Sequence, residues 1–132
     1  IRRNSKAREK ILRAFKRLDF FLPITGEERA WFAVVSVTAG ICEEVLYRGF
    51  LIRYLSDGPW HFGIWIALAI ASISFGLGHG YQGLSGIIGT GVLGALIAMI
   101  FLATGSLWLP MVLHAIIDLR VLLLLRPGDL VS

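Results

Sequence analysis

The chain has 132 residues, 56% hydrophobic and only 17% charged, with 13 Lys and Arg against 9 Asp and Glu and a formal net charge of +4. Soluble domains carry about a quarter charged residues, and from Gly58 to Ile117 there is no Asp, Glu, Lys or Arg. Such a run excludes the surface of a soluble globule and is long enough for two or three membrane helices of about 20 residues each.

Residues 1–30 hold nine of the thirteen basic residues and four acids. The pI near 9.7 therefore reflects a basic flank ahead of the first span, not a nucleic-acid surface. The positive-inside rule places that flank on the cytoplasmic face, against anionic lipid. Residues 1–26 read as a basic amphipathic interfacial segment. Ile11, Leu12, Phe15, Leu18 and Leu22 recur at helical spacing, with Arg8, Lys10, Arg13, Lys16 and Arg17 between them, the pattern of a helix in the headgroup region; the cytoplasmic end of a preceding helix, or a loop, fits the same residues equally well. No short apolar region with a small-residue cleavage site follows, so the flank is not a secretory signal. The start at Ile1 rather than Met suggests a piece of a longer protein.

Pro23 to Gly26 breaks the pattern. Thr25 offers an N-cap with Glu28 three residues on, a capping box. The first span is predicted from about Glu27 to Tyr54 and ends at Ser56-Asp57-Gly58-Pro59. A second runs from about Trp60 to Gly78, a third from about Leu84 to Ala103, and a fourth beyond Thr104-Gly105-Ser106 to about Leu125. Gly86, Thr90, Gly94 and Ala98 fall four apart as a small-residue stripe for close helix contact. Pro110 lies early in the last helix, where its missing donor costs little. The fold expected is an all-α integral membrane bundle of about four transmembrane helices plus the N-terminal amphipathic helix. Its core spans residues 27–126, followed by a tail at 127–132.

Chemistry concentrates in Cys42-Glu43-Glu44-Val45-Leu46-Tyr47-Arg48-Gly49-Phe50. Ionised groups inside a membrane segment pair, face the bundle interior or water, and mark function. Residues four apart share a helix face, so Glu44 lies over Arg48 and Glu43 over Tyr47. Glu44 and Arg48 neutralise one another, because a buried unpaired charge is costly. Glu43 points about 100° away and remains the freer carboxylate, suited to act as a general base on water. His79 closes the second helix one turn after Phe75. His114 and Asp118 form an i,i+4 pair in which the carboxylate can fix the imidazole tautomer. Cys42 is the single cysteine, which excludes an internal disulfide and any multi-cysteine metal cluster. Ser72, Ser74 and Ser85 lack a nucleophile elbow, and His61 beside Trp60 reads as an interfacial anchor.

Glu-Glu-x-x-x-Arg on one span, Phe-x-x-x-His on the next and His-x-x-x-Asp on the last, in that order, resemble the CPBP family, also called Abi. Its eukaryotic relatives are the type II CAAX prenyl endopeptidases. The resemblance covers about residues 28–125, including Gly-Ser-Leu-Trp-Leu-Pro before the last histidine. It implies an intramembrane endopeptidase in which Glu43 and His79 activate water, Glu44, Arg48 and Tyr47 support the site, and His114 and Asp118 stabilise the oxyanion. Asp118 stands where the family often has asparagine, and an ionised Asp cannot donate to an oxyanion. Either Asp118 is protonated, or it orients His114 and leaves donation to that ring.

The family is often labelled a metalloprotease, but the compact His-Glu-x-x-His helix is absent. A metal-free glutamate–histidine mechanism is favoured. The alternative is zinc held by Glu43, His79 and His114. The expected partners are membrane lipid and a membrane-associated peptide or protein, possible CAAX-type prenylation included, and no nucleic acid. The expected location is a bacterial inner membrane. Two rivals stand beside the enzyme: a non-catalytic immunity or regulatory protein that binds a membrane peptide, and a proton-relay fragment of a transporter. One geometric difficulty accompanies all three. Glu43 lies about 18 Å along its helix from Trp31 at 1.5 Å per residue, yet must meet His79 at the cytoplasmic end of the second helix.

Overall fold

The structure is a computed structural model that describes residues 23–124. The basic segment before Pro23 and the C-terminal stretch after Leu124 lie outside the described residues. Within them the chain is all helical. α1 (Gly26–Glu44) continues through a π-helical segment (Val45–Leu51) into α2 (Ile52–Ser56). α3 (Ile64–Gly78) and α4 (Gly83–Thr104) form a hairpin closed by a 3₁₀ turn at Gly80–Gln82. α5 (Trp108–Leu124) completes the bundle.

The start of α1 is fixed by the capping box expected from sequence. Thr25 Oγ1 accepts from Glu28 N at 3.1 Å, and Glu28 Oε2 accepts from Thr25 N at 2.9 Å. The helix then runs 31 residues without a break to Ser56, about 46 Å at 1.5 Å per residue. An uninterrupted α-helix was expected here; instead the Ile52 N–H bonds five residues back to Tyr47 O. Such π segments occur often at functional sites.

The second helix begins at Ile64, four residues later than the expected Trp60. His61 takes a left-handed φ of 46°, Phe62 N bonds back to Leu55 O at 2.9 Å, and Trp60 stacks on Phe62. The segment folds onto the end of α2 rather than starting a helix. The other boundaries fall within a residue or two of those expected, as far as the described residues extend. Gly105, at φ 65°, closes α4 with its N–H on Phe101 O.

Two antiparallel helix pairs carry the packing. α1 lies against α5: Arg29 Nη2 donates to Leu122 O at 2.6 Å, Gly40 sits on Ala115 and Met111, and Gly49 meets Leu107. α3 lies against α4, where Gly76 abuts Ile87 and Gly91, and Phe75 abuts Gly94. The seam therefore uses Gly91 as well as the Gly94 and Ala98 of the predicted stripe. An apolar core of Ile52, Leu55, Ala67, Leu68, Ala71 and Ala98 joins α2, α3 and α4 at one end.

The distribution of polarity is reversed from that of a soluble protein. Ser36, Glu44, Arg48, Ser72 and His114 are buried, whereas Trp31, Val34, Val35, Ile66, Ile73, Leu84, Ile88 and Val92 are exposed. Two helices, Gly26–Ser56 and Gly80–Thr104, are long and apolar enough to cross a bilayer. Between membrane helices, close packing of small residues replaces hydrophobic burial as the driving force.

A Cβ at Gly76 would lie 2.5 Å from the Ile87 carbonyl oxygen, with backbone atoms of Gly91 next nearest. Gly76→Ala must therefore push α3 and α4 apart. It is expected to cost about 1–3 kcal/mol and lower the melting temperature in detergent. Gly89→Ala, with nothing within 4 Å of the new methyl, should leave that temperature unchanged or raise it.

Candidate active site

The π segment and the last turn of α1 set the first part of the site. Arg48 and Glu44 are both almost wholly buried, and Arg48 Nη1 donates to Glu44 Oε1 at 2.7 Å. Arg48 Nη2 donates to Gly94 O on α4 at 2.8 Å. This close approach requires a glycine, because a Cβ there would stand 2.9 Å from the Phe75 ring and 3.3 Å from Arg48 Nη2. The guanidinium also lies over the Phe75 ring, 4.8 Å from its centroid, a cation–π contact that is strengthened when desolvated.

α5 brings in His114. Its Nδ1 faces the same Glu44 Oε1 at 2.7 Å, so Nδ1 donates to that carboxylate. Its Nε2 lies 3.7 Å from Glu43 Oε2 and 3.7 Å from Asp118 Oδ2. The sequence suggested that Asp118 orients the ring. In the structure Glu44 holds Nδ1, and Asp118 stands on the opposite nitrogen. The i,i+4 rule exposes only local partners, and this one comes from 70 residues away.

Glu43 and Glu44 are adjacent but differently placed. Glu44 is fully buried, while the Glu43 side chain is 32% exposed. Glu43 Oε2 is itself buried without a hydrogen-bond partner among the described residues. It lies at one end of a groove of about 360 Å³ on the outer face of α1, formed with Trp31, Val34, Val35, Thr38 and Cys42. The carboxylate is thus reached along an apolar path.

His79 ends α3, its Nδ1 2.9 Å from Phe75 O. Because a carbonyl only accepts, Nδ1 carries a hydrogen, and Nε2 is the ring nitrogen not engaged by Phe75 O. No hydrogen bond or ion pair within 4.0 Å joins His79 to Glu43 among the described residues; Phe75 instead links His79 to His114 and Tyr47. That ring meets His79 at 4.7 Å, His114 edge-on at 5.7 Å and Tyr47 edge-on at 5.1 Å. Tyr47 turns its hydroxyl towards Gly78. The depth difficulty resolves through helix length. α3 spans 15 residues, so its end stands level with the middle of the 31-residue helix.

Two residues have larger roles than the residues alone suggested. Gly94 read only as packing, although its carbonyl accepts from Arg48, and Phe75 read only as part of the Phe-x-x-x-His motif, although its ring meets Tyr47, His79 and His114. Zinc would need three or four converging protein donors. Among the described residues no group of three His, Cys, Asp or Glu is placed to hold a metal ion.

An all-α bundle with apolar outer faces around a buried carboxylate–histidine–arginine cluster is the architecture of a helical membrane protein. The family model described as Type II CAAX prenyl endopeptidase Rce1-like matches residues 25–120. The chain belongs to this family of CAAX-protease-type membrane endopeptidases. Comparisons with curated proteins and with solved structures give no match.

Removing Arg48 would leave Glu44 as a buried charge without its guanidinium partner. Arg48→Leu is expected to destabilise the bundle by about 3–5 kcal/mol. Glu43→Gln, at a half-exposed position with no hydrogen bond to lose, should fall within about 0.5 kcal/mol of the parent. Chemical denaturation in mixed micelles compares the two.

Proposed function

We propose that this protein is an intramembrane endopeptidase whose general base is Glu43. The observation that carries this reading is the Glu43 carboxylate itself. It has an unpartnered buried oxygen, lies 3.7 Å from an imidazole nitrogen, and sits on an apolar groove reachable from the lipid side. A base needs substrate access as well as a lone pair; Glu44 also has an unpartnered oxygen, Oε2, but it is fully buried, with Oε1 held by Arg48 and His114.

In this mechanism Glu43, assisted by His79 Nε2, removes a proton from water as the water oxygen attacks the scissile carbonyl carbon. The carbonyl oxygen becomes an oxyanion. His114, with Nδ1–H held on Glu44, turns Nε2 towards that charge, the position of a donor in an oxyanion hole. Collapse of the tetrahedral intermediate breaks the C–N bond, and Glu43 returns the proton to the departing amine. Asp118 acts on Nε2, steadying the proton that the oxyanion uses. Tyr47 and Phe75 wall the site and keep it dry. No step passes through a metal.

The substrate in this reading is a membrane-associated peptide or protein of the prenylated CAAX type, its lipid lying along the Trp31–Cys42 groove. The basic N-terminal flank supports a cytoplasmic position for residues 1–26, in this reading at a bacterial inner membrane.

The test is cleavage of farnesylated CAAX peptides by the purified full-length protein. Glu43→Gln is expected to lower kcat by about 10²–10⁴-fold with the melting temperature unchanged. His114→Ala should reduce kcat more than it raises KM. Full cleavage by a folded Glu43→Gln protein would overturn the assignment. So would a folded wild type that binds the peptides tightly and never cuts them, the behaviour of a binding protein.

A further inference from the structure

At the end of the bundle remote from Glu43, where α2 ends, α3 begins and α4 ends, there is a cleft of about 240 Å³. Its floor is Phe101, Leu102 and Ile64, and its rim is Arg53, Ser56 and Asp57. Arg53 and Asp57 stand four apart on one helical turn, the spacing at which opposite charges ordinarily pair. Here they do not. Arg53 is drawn towards Phe101, its Cζ 6.0 Å from the ring centroid, and Asp57 Oδ1 accepts from Ser56 Oγ at 3.0 Å. Arg53 has no carboxylate within 4.0 Å among the described residues. A positive and a negative group thus flank one small cleft without neutralising each other.

The depth of the cleft is marked independently. Tyr54, Trp60, Trp65 and Trp108 are all exposed at this same end, and exposed Trp and Tyr concentrate at the membrane–water interface. The cleft therefore opens at headgroup level, with its apolar floor continuing into the lipid-facing surface of α4. Its volume lies below the roughly 300–1,000 Å³ of sites for drug-sized ligands, which suits a head group whose chains remain outside. The C-terminal end of α4, the negative end of its dipole, adds preference for a cation beside Asp57.

We propose that this cleft binds the head group of phosphatidylethanolamine, with its phosphate on Arg53 and its ammonium on Asp57 and Ser56. A guanidinium matches phosphate oxygens in a fork geometry. A primary ammonium supplies three N–H donors to the carboxylate and hydroxyl, which a trimethylammonium does not. An anionic lipid without an amine satisfies only Arg53 and brings its charge against Asp57. The paired rim thus selects a zwitterion with hydrogen-bonding ends. The site lies apart from Glu43 and does not depend on the peptidase reading.

The experiment uses the full-length protein, delipidated in mild detergent and supplied with equal amounts of phosphatidylethanolamine, phosphatidylcholine and phosphatidylglycerol carrying the same acyl chains. Retained lipid is counted by native mass spectrometry, and the melting temperature is read in each lipid. Phosphatidylethanolamine is expected to be retained about tenfold over phosphatidylcholine, the scale of one hydrogen bond to a charged group. Arg53→Gln and Asp57→Asn should each remove that preference while the melting temperature in phosphatidylcholine stays at the wild-type value. Equal retention of the three lipids would overturn the proposal, as would an ethanolamine preference that survives Asp57→Asn. Preference for phosphatidylglycerol, lost in Arg53→Gln alone, would also overturn it and make the cleft a simple anion site.

Discussion

One oxygen atom, Glu44 Oε1, accepts from both Arg48 Nη1 and His114 Nδ1 at 2.7 Å. Removed from water, each of these groups would be costly to bury alone. Together they neutralise charge, fill donors and fix positions on two helices that are far apart in sequence. Arg48 then extends the same network to α4 through Gly94 O. A single carboxylate thus ties α1, α5 and α4 into one arrangement. In a bilayer, lipid tails compete with apolar contacts and leave no hydrophobic force to bring helices together, so polar anchors of this kind carry much of the specificity.

The glycines make that network possible. Gly40 lets α5 approach α1 until its Ala115 and Met111 backbone lies about 3 Å from where a Cβ would be, which is what brings His114 within reach of Glu44. Gly94 leaves room for Arg48 and Phe75 on α4 in the same way. Small residues and buried charges are therefore two parts of one device. The first permits the approach, and the second defines where it stops.

Much of this was legible in the residues. The capping box of Thr25 and Glu28 follows from local hydrogen-bonding chemistry, and the Glu44–Arg48 pair follows from helical spacing and the cost of an unpaired charge. The four helices follow from runs of apolar residues interrupted by Gly, Pro and Ser. Less legible were features decided by tertiary contact. Spacing pointed His114 at Asp118, four residues away, yet its closest partner is Glu44. The late start of α3 depends on Phe62 folding back to Leu55 O, and a sequence pattern at Trp60 carries no trace of that bond. The π segment at Val45–Leu51 left the apolar period almost unchanged, so periodicity passed over it.

The two adjacent glutamates show why a site of this kind needs both. A carboxylate that organises a buried network is held out of a substrate's reach by it, as fully buried Glu44 is even with Oε2 unpartnered. A carboxylate free to take a proton cannot also hold the scaffold. Placing the two side by side on a helix turns them about 100° apart, one into the bundle and one towards the groove. The rigid member then fixes His114 at 3.7 Å from the free one. Geometry is set by Glu44 and left open at Glu43, and a helix achieves this with no loop and no extra residue. The same logic explains the position along the helix. With 31 residues in the continuous helix, the pair sits near its middle, and the proposed base borders the apolar groove on the exposed face of α1.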